Sequence, residues 1–278
     1  MQITCWGSRG SIPVSGKEYI RFGGDTTCIE IRAKSGEVLI IDAGTGIRRL
    51  GNKLLGEDLN AFHFIFTHAH WDHVSGFPFF RPLYFNHNKL ILHRCPFHSK
   101  FVETVLSRVM SSPYFPIKFA QLDAQITFRE ACPDPFEIGS VRIVPVPLCH
   151  PNGGSGYKFV EDGKTFVFLT DNELGHIHPG GLSRDKYTEF AAGADLLIHD
   201  AEYTPEEYEQ TVGWGHSQYS DVMDLALTAG VKKIGMFHIN SERTDAAMDK
   251  IVEICRRLTG ENPDMACFAV GRDMQFAL

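Results

Sequence analysis

Thr67-His68-Ala69-His70-Trp71-Asp72-His73 begins at the last residue of the apolar run 62–67 and opens into Val74-Ser75-Gly76. In an extended segment, side chains two apart face the same way, so His68 and His70 can converge on one ion. Where the chain turns into a helix, Asp72 and His73 swing toward a neighbouring position and can serve a second ion. Imidazole and carboxylate together suit zinc, manganese or iron. The bland alternative is four polar residues that cap a helix. It is weak, because unpaired histidines packed this densely have no other evident benefit. An HxHxDH run arises by chance only on the order of a few times in a thousand chains of this composition.

Outward from this run the chain reads as short apolar strands. Residues 3–6, 28–32, 38–42, 89–93 and 141–148 have the β-branched and aliphatic composition of strands, as does 62–67 itself. In the second half the same pattern recurs at 156–159, 166–170, 195–199, 233–237 and 267–270, each bounded by glycine, aspartate or charged residues. Apolar residues at three- and four-residue spacings predict helices over 183–192, 219–229 and 245–257, the second capped by Gly230. The pattern predicts an α/β fold of two face-to-face sheets with helices outside, in one domain spanning 1–278. No glycine occurs from 77 to 138, where seven prolines and many aromatics stand instead. That composition predicts a stiff, packed insertion at about 77–138, whose aromatics line a pocket or, more simply, pack a core.

Composition narrows the function. Lys plus Arg is 27 against 34 for Asp plus Glu, a net charge of −7. Without a basic face, long nucleic acid is not a favoured partner. No apolar run approaches the roughly 20 residues of a membrane helix, and the opening Met1-Gln2-Ile3-Thr4-Cys5-Trp6 reads as a strand and not as a signal peptide. A cytoplasmic protein without membrane contact is expected. The seven cysteines are odd in number, scattered and without a CxxC pair, so buried free thiols are expected and not a disulfide framework. The 13 histidines are the unusual count, since histidine binds metals and moves protons near neutral pH.

With its HxHxDH run at a strand end, the sequence resembles the metallo-β-lactamase superfamily. The resemblance extends through the chain: His150 follows the 141–148 strand, Asp171 closes the 166–170 strand and His238 ends the 233–237 strand. It implies an αββα sandwich of two mixed β-sheets with helices on both outer faces, and two divalent metal ions, zinc foremost and manganese or iron as alternatives. One metal would take His68, His70 and His150, the other Asp72, His73 and His238, with Asp171 bridging.

Leu197-Ile198-His199-Asp200-Ala201-Glu202-Tyr203, followed by Gly215-His216-Ser217, is similar to the C-terminal half of RNase Z-like phosphodiesterases. The resemblance implies catalytic roles for Asp72, Asp200 and His216, with Asp200 holding His216 to act on a phosphate oxygen or the leaving alkoxide. Glu202 departs from the family pattern by standing where threonine is usual. The opening Cys5-Trp6-Gly7-Ser8-Arg9-Gly10-Ser11-Ile12-Pro13, with Phe22-Gly23-Gly24-Asp25-Thr26-Thr27-Cys28, resembles bacterial hydrolases related to cyclic-nucleotide phosphodiesterases. Its glycine loops are expected to approach the metals, and Asp42 is expected to orient a ligand histidine. The implied activity is hydrolysis of a small phosphodiester, a 3′,5′-cyclic nucleotide first, by a hydroxide shared between the metals. An RNase Z-like RNA 3′-end endonuclease is the alternative. A lactone or thioester hydrolase and a metal-bound sensing module follow. Homodimerisation is open. His63, His87, His93, His98, His176, His178 and His199 match no family position and receive no role.

Overall fold

The computed structural model describes residues 1–94, 101–261 and 265–278. Cys95 and His98 lie outside them. Fourteen strands alternate with seven helices among the described residues. The strands are β1 (Gln2–Gly7), β2 (Cys28–Arg32), β3 (Val38–Ile41), β4 (Ala61–Ile65), β5 (Lys89–Arg94), β6 (Gln125–Glu130), β7 (Phe136–Ile138), β8 (Val141–Pro147), β9 (Ser155–Glu161), β10 (Lys164–Leu169), β11 (Leu196–Asp200), β12 (Lys233–Phe237), β13 (Ala266–Ala269) and β14 (Gln275–Ala277). The helices are α1 (Ile47–Leu54), α2 (Trp71–Val74), α3 (Phe101–Val109), α4 (Arg184–Ala191), α5 (Pro205–Tyr208), α6 (Tyr219–Thr228) and α7 (Asp245–Leu258).

The strands form two seven-stranded sheets, in the orders β14-β1-β2-β3-β4-β5-β6 and β13-β12-β11-β10-β9-β8-β7. Each is mixed in the same way. From β14 to β3 the first sheet is antiparallel and from β3 to β6 parallel, and the second repeats this from β7 to β10 and from β10 to β13. Parallel strands need covered faces, and each sheet has both faces covered. Between the sheets lie Ile29, Ile31, Leu39, Ile41, Phe159 and Phe166 with their neighbours. Outside the second sheet, Met248, Ile251, Val252 and Cys255 form the buried stripe of α7, at the spacing expected for an amphipathic helix. The arrangement is the expected αββα sandwich.

Residues 77–138 are less an insertion beside the sandwich than part of it. They supply β5 and β6, which extend the parallel edge of the first sheet. Phe77, Phe80, Leu83, Leu106 and Met110 pack over that sheet's outer face. Cys5, Cys28, Cys149, Cys255 and Cys267 are free and buried as expected. Cys132 is disulfide-bonded, so the expectation of free thiols fails there.

Candidate metal centre

The ends of parallel strands gather at one rim of the sandwich, the place where α/β sheets present ligand sites. β3 delivers Asp42, β4 delivers His68 and His70, β10 Asp171, β11 Asp200 and β12 His238, while β8 leads into His150. Asp42, Asp171 and His238 have φ of 60°, 55° and 52°. Left-handed backbone is costly for residues with a Cβ, and three such residues stand where a strand must break sharply to aim a side chain at the rim. Gly10 meets His238 so closely that a Cβ would sit 2.2 Å from Nδ1. Gly215 has φ of 96° and its Cβ would lie 2.0 Å from Nδ1 of His150. The opening glycine loop therefore touches a site residue, as expected, and so does the loop of Gly215, whereas Gly23 and Gly24 meet Arg272 and Val14.

All seven residues expected as ligands converge. Side-chain donors of His68, His70, His150 and Asp171 form one group able to hold a metal ion, and those of Asp72, His73, Asp171 and His238 form a second, with Asp171 common to both. Nε2 of His68 lies 3.5 Å from Asp171 Oδ2, and Nε2 of His73 lies 3.2 Å from Asp72 Oδ2 and 3.3 Å from Asp171 Oδ1. Nε2 of His238 lies 3.0 Å from Asp72 Oδ2 and 3.3 Å from Asp171 Oδ2. Ligands at about 2.1 Å around a tetrahedral ion stand roughly 3.4 Å apart, and these spacings are compatible with the edges of such a shell.

The outward-facing nitrogens test the fit. Nδ1 of His73 donates to Asp42 Oδ2 at 2.8 Å, Nδ1 of His150 to the Gly215 carbonyl at 3.0 Å, and Nδ1 of His238 to Glu202 Oε2 at 2.9 Å. With a metal bound, fixing the proton on one nitrogen would leave the other to offer its lone pair inward. Nε2 of His68 and Nε2 of His73 are buried without a hydrogen-bond partner. Orphaned buried nitrogens of this kind are costly unless something binds them, and a divalent cation does. Asp42 is itself locked by Thr67, whose N–H and hydroxyl each donate to it at 2.7 Å.

Charge follows the same division. Burial, with help from the neighbouring His73, pushes the His68 pKa well below the usual histidine range, and burial brings His150 down to about 4. These imidazoles are neutral, the form that binds metal. Burial also opposes charge on Asp171 and Asp72, but the imidazoles of His238 and His73 outweigh it and hold both carboxyls well below their usual range.

His216 stands beside the second group. Its Nδ1 is 3.6 Å from Asp200 Oδ2, 3.6 Å from Glu202 Oε2 and 3.9 Å from Asp171 Oδ2, and it makes no hydrogen bond. Burial works against its protonation, and the surrounding carboxylates, Glu202 first, overcome that and raise its pKa. Asp200 is less dedicated to His216 than the sequence suggested. Its two oxygens accept the backbone N–H of Asn172 at 2.9 Å and of Ser217 at 2.8 Å, so it ties together the loops that carry Asp171 and His216.

Two residues escaped sequence reasoning. Glu202 was noted only as a departure, yet it orients His238, accepts Asn240 Nδ2 at 3.0 Å and groups with His216 and His238. Its signal was the carboxylate itself, two residues beyond Asp200 at the end of a buried strand. Glu173 accepts from Tyr208, from the N–H of Gly213 and Gly215, and pairs with His178, each at 2.7 Å. It holds the loop whose Gly215 carbonyl orients His150. His178 thus serves that loop, and His176 is exposed.

A model of the beta-lactamase superfamily domain matches residues 38–239. Ribonuclease Z of Haloferax volcanii is 24% identical over 286 residues, covering 87% of this chain and 85% of that protein. Among solved structures, the metallo-beta-lactamase fold protein YhfI from Bacillus subtilis superposes with a TM-score of 0.71 at 15% identity, over 99% of this chain and 98% of the other. Human tRNase Z, short form, does so with 0.65 at 16%, over 100% and 99%. The rim of histidines and aspartates, the paired mixed sheets and the match over most of the chain place this protein in the beta-lactamase superfamily.

Proposed function

We propose that this metal-dependent hydrolase cleaves phosphodiester bonds. His68, His70 and His150 would hold one divalent cation, Asp72, His73 and His238 a second, and Asp171 both. Bound there, two cations supply activated water and screen the charge of a phosphate. What carries the phosphodiester reading is His216. An imidazole set among three carboxylates that favour its protonation, lining a cavity of about 250 Å³ with Ser11, Asp72, Asp171 and His238, suits an anionic substrate. It would donate to a phosphate oxygen or deliver a proton to the leaving alkoxide. Neutral lactones have less use for it.

For the substrate, the relatives named Ribonuclease Z support cleavage of RNA near its 3′ end better than they support the cyclic nucleotide expected from sequence. A small diester is the second reading, favoured by the net charge of −7. One panel tests both: bis(p-nitrophenyl) phosphate, the four 3′,5′-cyclic mononucleotides, a short RNA with a 3′ extension and a lactone. Each is given to wild type and His216→Ala with Mn²⁺ or Zn²⁺. The expected result is diester cleavage whose kcat falls about 10²–10⁴-fold in the variant. RNA cleavage whose KM rises steeply with salt would select the nuclease, and cyclic-nucleotide turnover the small-diester reading. Lactone hydrolysis alone, equal in both proteins, would overturn the proposal.

A further inference from the structure

A second cavity, of about 480 Å³, adjoins the one over the metal ligands. His70 and Trp71 line both, so these two side chains form the boundary between the ligands and the larger space. Its volume is that of a small-molecule pocket. Val74 of α2 and Val105 and Val109 of α3 give it an apolar surface, the latter two one helical turn apart on a single face. The Trp71 and Tyr114 rings also face it, 64% and 77% exposed. Fold stability gains little from aromatic rings left in water, whereas a planar ligand gains a stacking surface from them. Arg108 completes the lining, and its guanidinium makes no ion pair or hydrogen bond among the described residues. None of α3 contributes to the metal-ligating groups.

We propose that this cavity is a nucleobase subsite. Resting on the phosphodiester reading, it assigns the organic part of the substrate: with a phosphate at the metals, the base lies against Trp71, Tyr114 and the valines, and Arg108 donates to its edge. A guanidinium offers only donors, so it favours a base with two adjacent acceptors, such as O6 and N7 of guanine, over adenine, which places an amino group there. Within 77–138, Leu106 and Met110 are buried in the core, while Val105 and Val109, packed against that core, also line the cavity together with Arg108.

Calorimetric titration of the Mn²⁺-loaded protein with inorganic phosphate, AMP and GMP tests this without turnover. Wild type is expected to bind GMP at least about tenfold more tightly than phosphate, and AMP in between. Val105→Trp, which fills the cavity, should abolish that advantage while leaving phosphate affinity within about twofold. Arg108→Ala, at an exposed position where misfolding is not a concern, should weaken GMP severalfold and erase its lead over AMP. Equal affinity of wild type for phosphate and GMP would overturn the subsite, as would an advantage that survives both substitutions. Hydrolysis of bis(p-nitrophenyl) phosphate is followed in parallel. Its absence, with the GMP preference and its loss in Val105→Trp intact, would remove the phosphodiester reading and keep the subsite.

Discussion

Imidazoles pack against one another at the rim of the sandwich and, well away from it, on the inner face of the first sheet, where His63 and His93 stack with centroids 5.3 Å apart. Crowding is similar: at the rim, His68 lies 4.2 Å from His73 and His216 lies 4.5 Å from His238. The neighbours differ. His63 Nδ1 and His93 Nε2 are 3.0 Å apart, so one donates to the other, and Phe136 also stacks on His93. Burial lowers the pKa of both, with the Arg129 charge helping, and brings His93 to about 3. That pair is neutral, with one proton on each ring and one of the two held in the contact between them. At the rim, Asp72, Asp171 and Glu202 are interleaved with the rings, several nitrogens are held from outside, and their partners in the ring converge. Buried histidines in contact do not make a metal site; interleaved carboxylates and fixed tautomers do.

The comparison breaks most visibly at Asp171. Asp171→Ala removes the oxygen donors common to both groups, and metal content measured by plasma mass spectrometry should fall from two equivalents to at most one. Loss of several kcal/mol of charge stabilisation lowers turnover about 10³-fold or more. Two retained equivalents with full turnover would deny the bridge. A smaller effect is expected one step out. Asp42→Asn keeps the shape and an acceptor for the Thr67 N–H, but its amide no longer accepts the His73 Nδ1 proton. The ring then tends to carry its proton on the nitrogen that faces Asp72 and Asp171. Metal affinity, followed by competition with a chromophoric chelator, should weaken about 10–100-fold. An unchanged affinity would mean that the rim does not depend on fixed tautomers.

What the sequence revealed follows from how the parts are spaced. Four of the rim residues fall within Thr67–His73's seven positions and were visible at once, whereas His150, Asp171 and His238 were recognisable only by their order after strands. The central strands and α7 were legible because apolar composition and helical spacing act locally. β14 is three residues long, and β6 alternates polar and apolar residues in a stretch dominated by proline and aromatics, so neither stood out. α1 carries Ile47, Leu50 and Leu54 on its buried face, but Gly51 and the basic Arg48-Arg49 masked that pattern. Glu202 depends on His238, 36 positions away, and no local pattern announces such a pair.

The mildest substitution addresses the pair that binds nothing. An imidazole whose pKa is lower in the folded chain than in the unfolded one is protonated preferentially on unfolding. Its contribution is therefore complete above the unfolded value of about 6.5 and is lost as pH falls toward the folded value, about 3 for His93. His93→Phe retains an aromatic ring against Phe136 and removes one titrating group. Denaturant unfolding of wild type and variant between pH 7 and 4 should show the variant's stability falling less steeply, by up to about 1.4 kcal/mol per pH unit. Metal content and turnover at pH 8 should not change. If His93→Phe lost metal, the two imidazole groups would be coupled and the contrast drawn between them would fail. If instead the two proteins lost stability in parallel, the burial of His93 would carry no proton linkage, and the difference between the regions would reduce to the carboxylates at the rim.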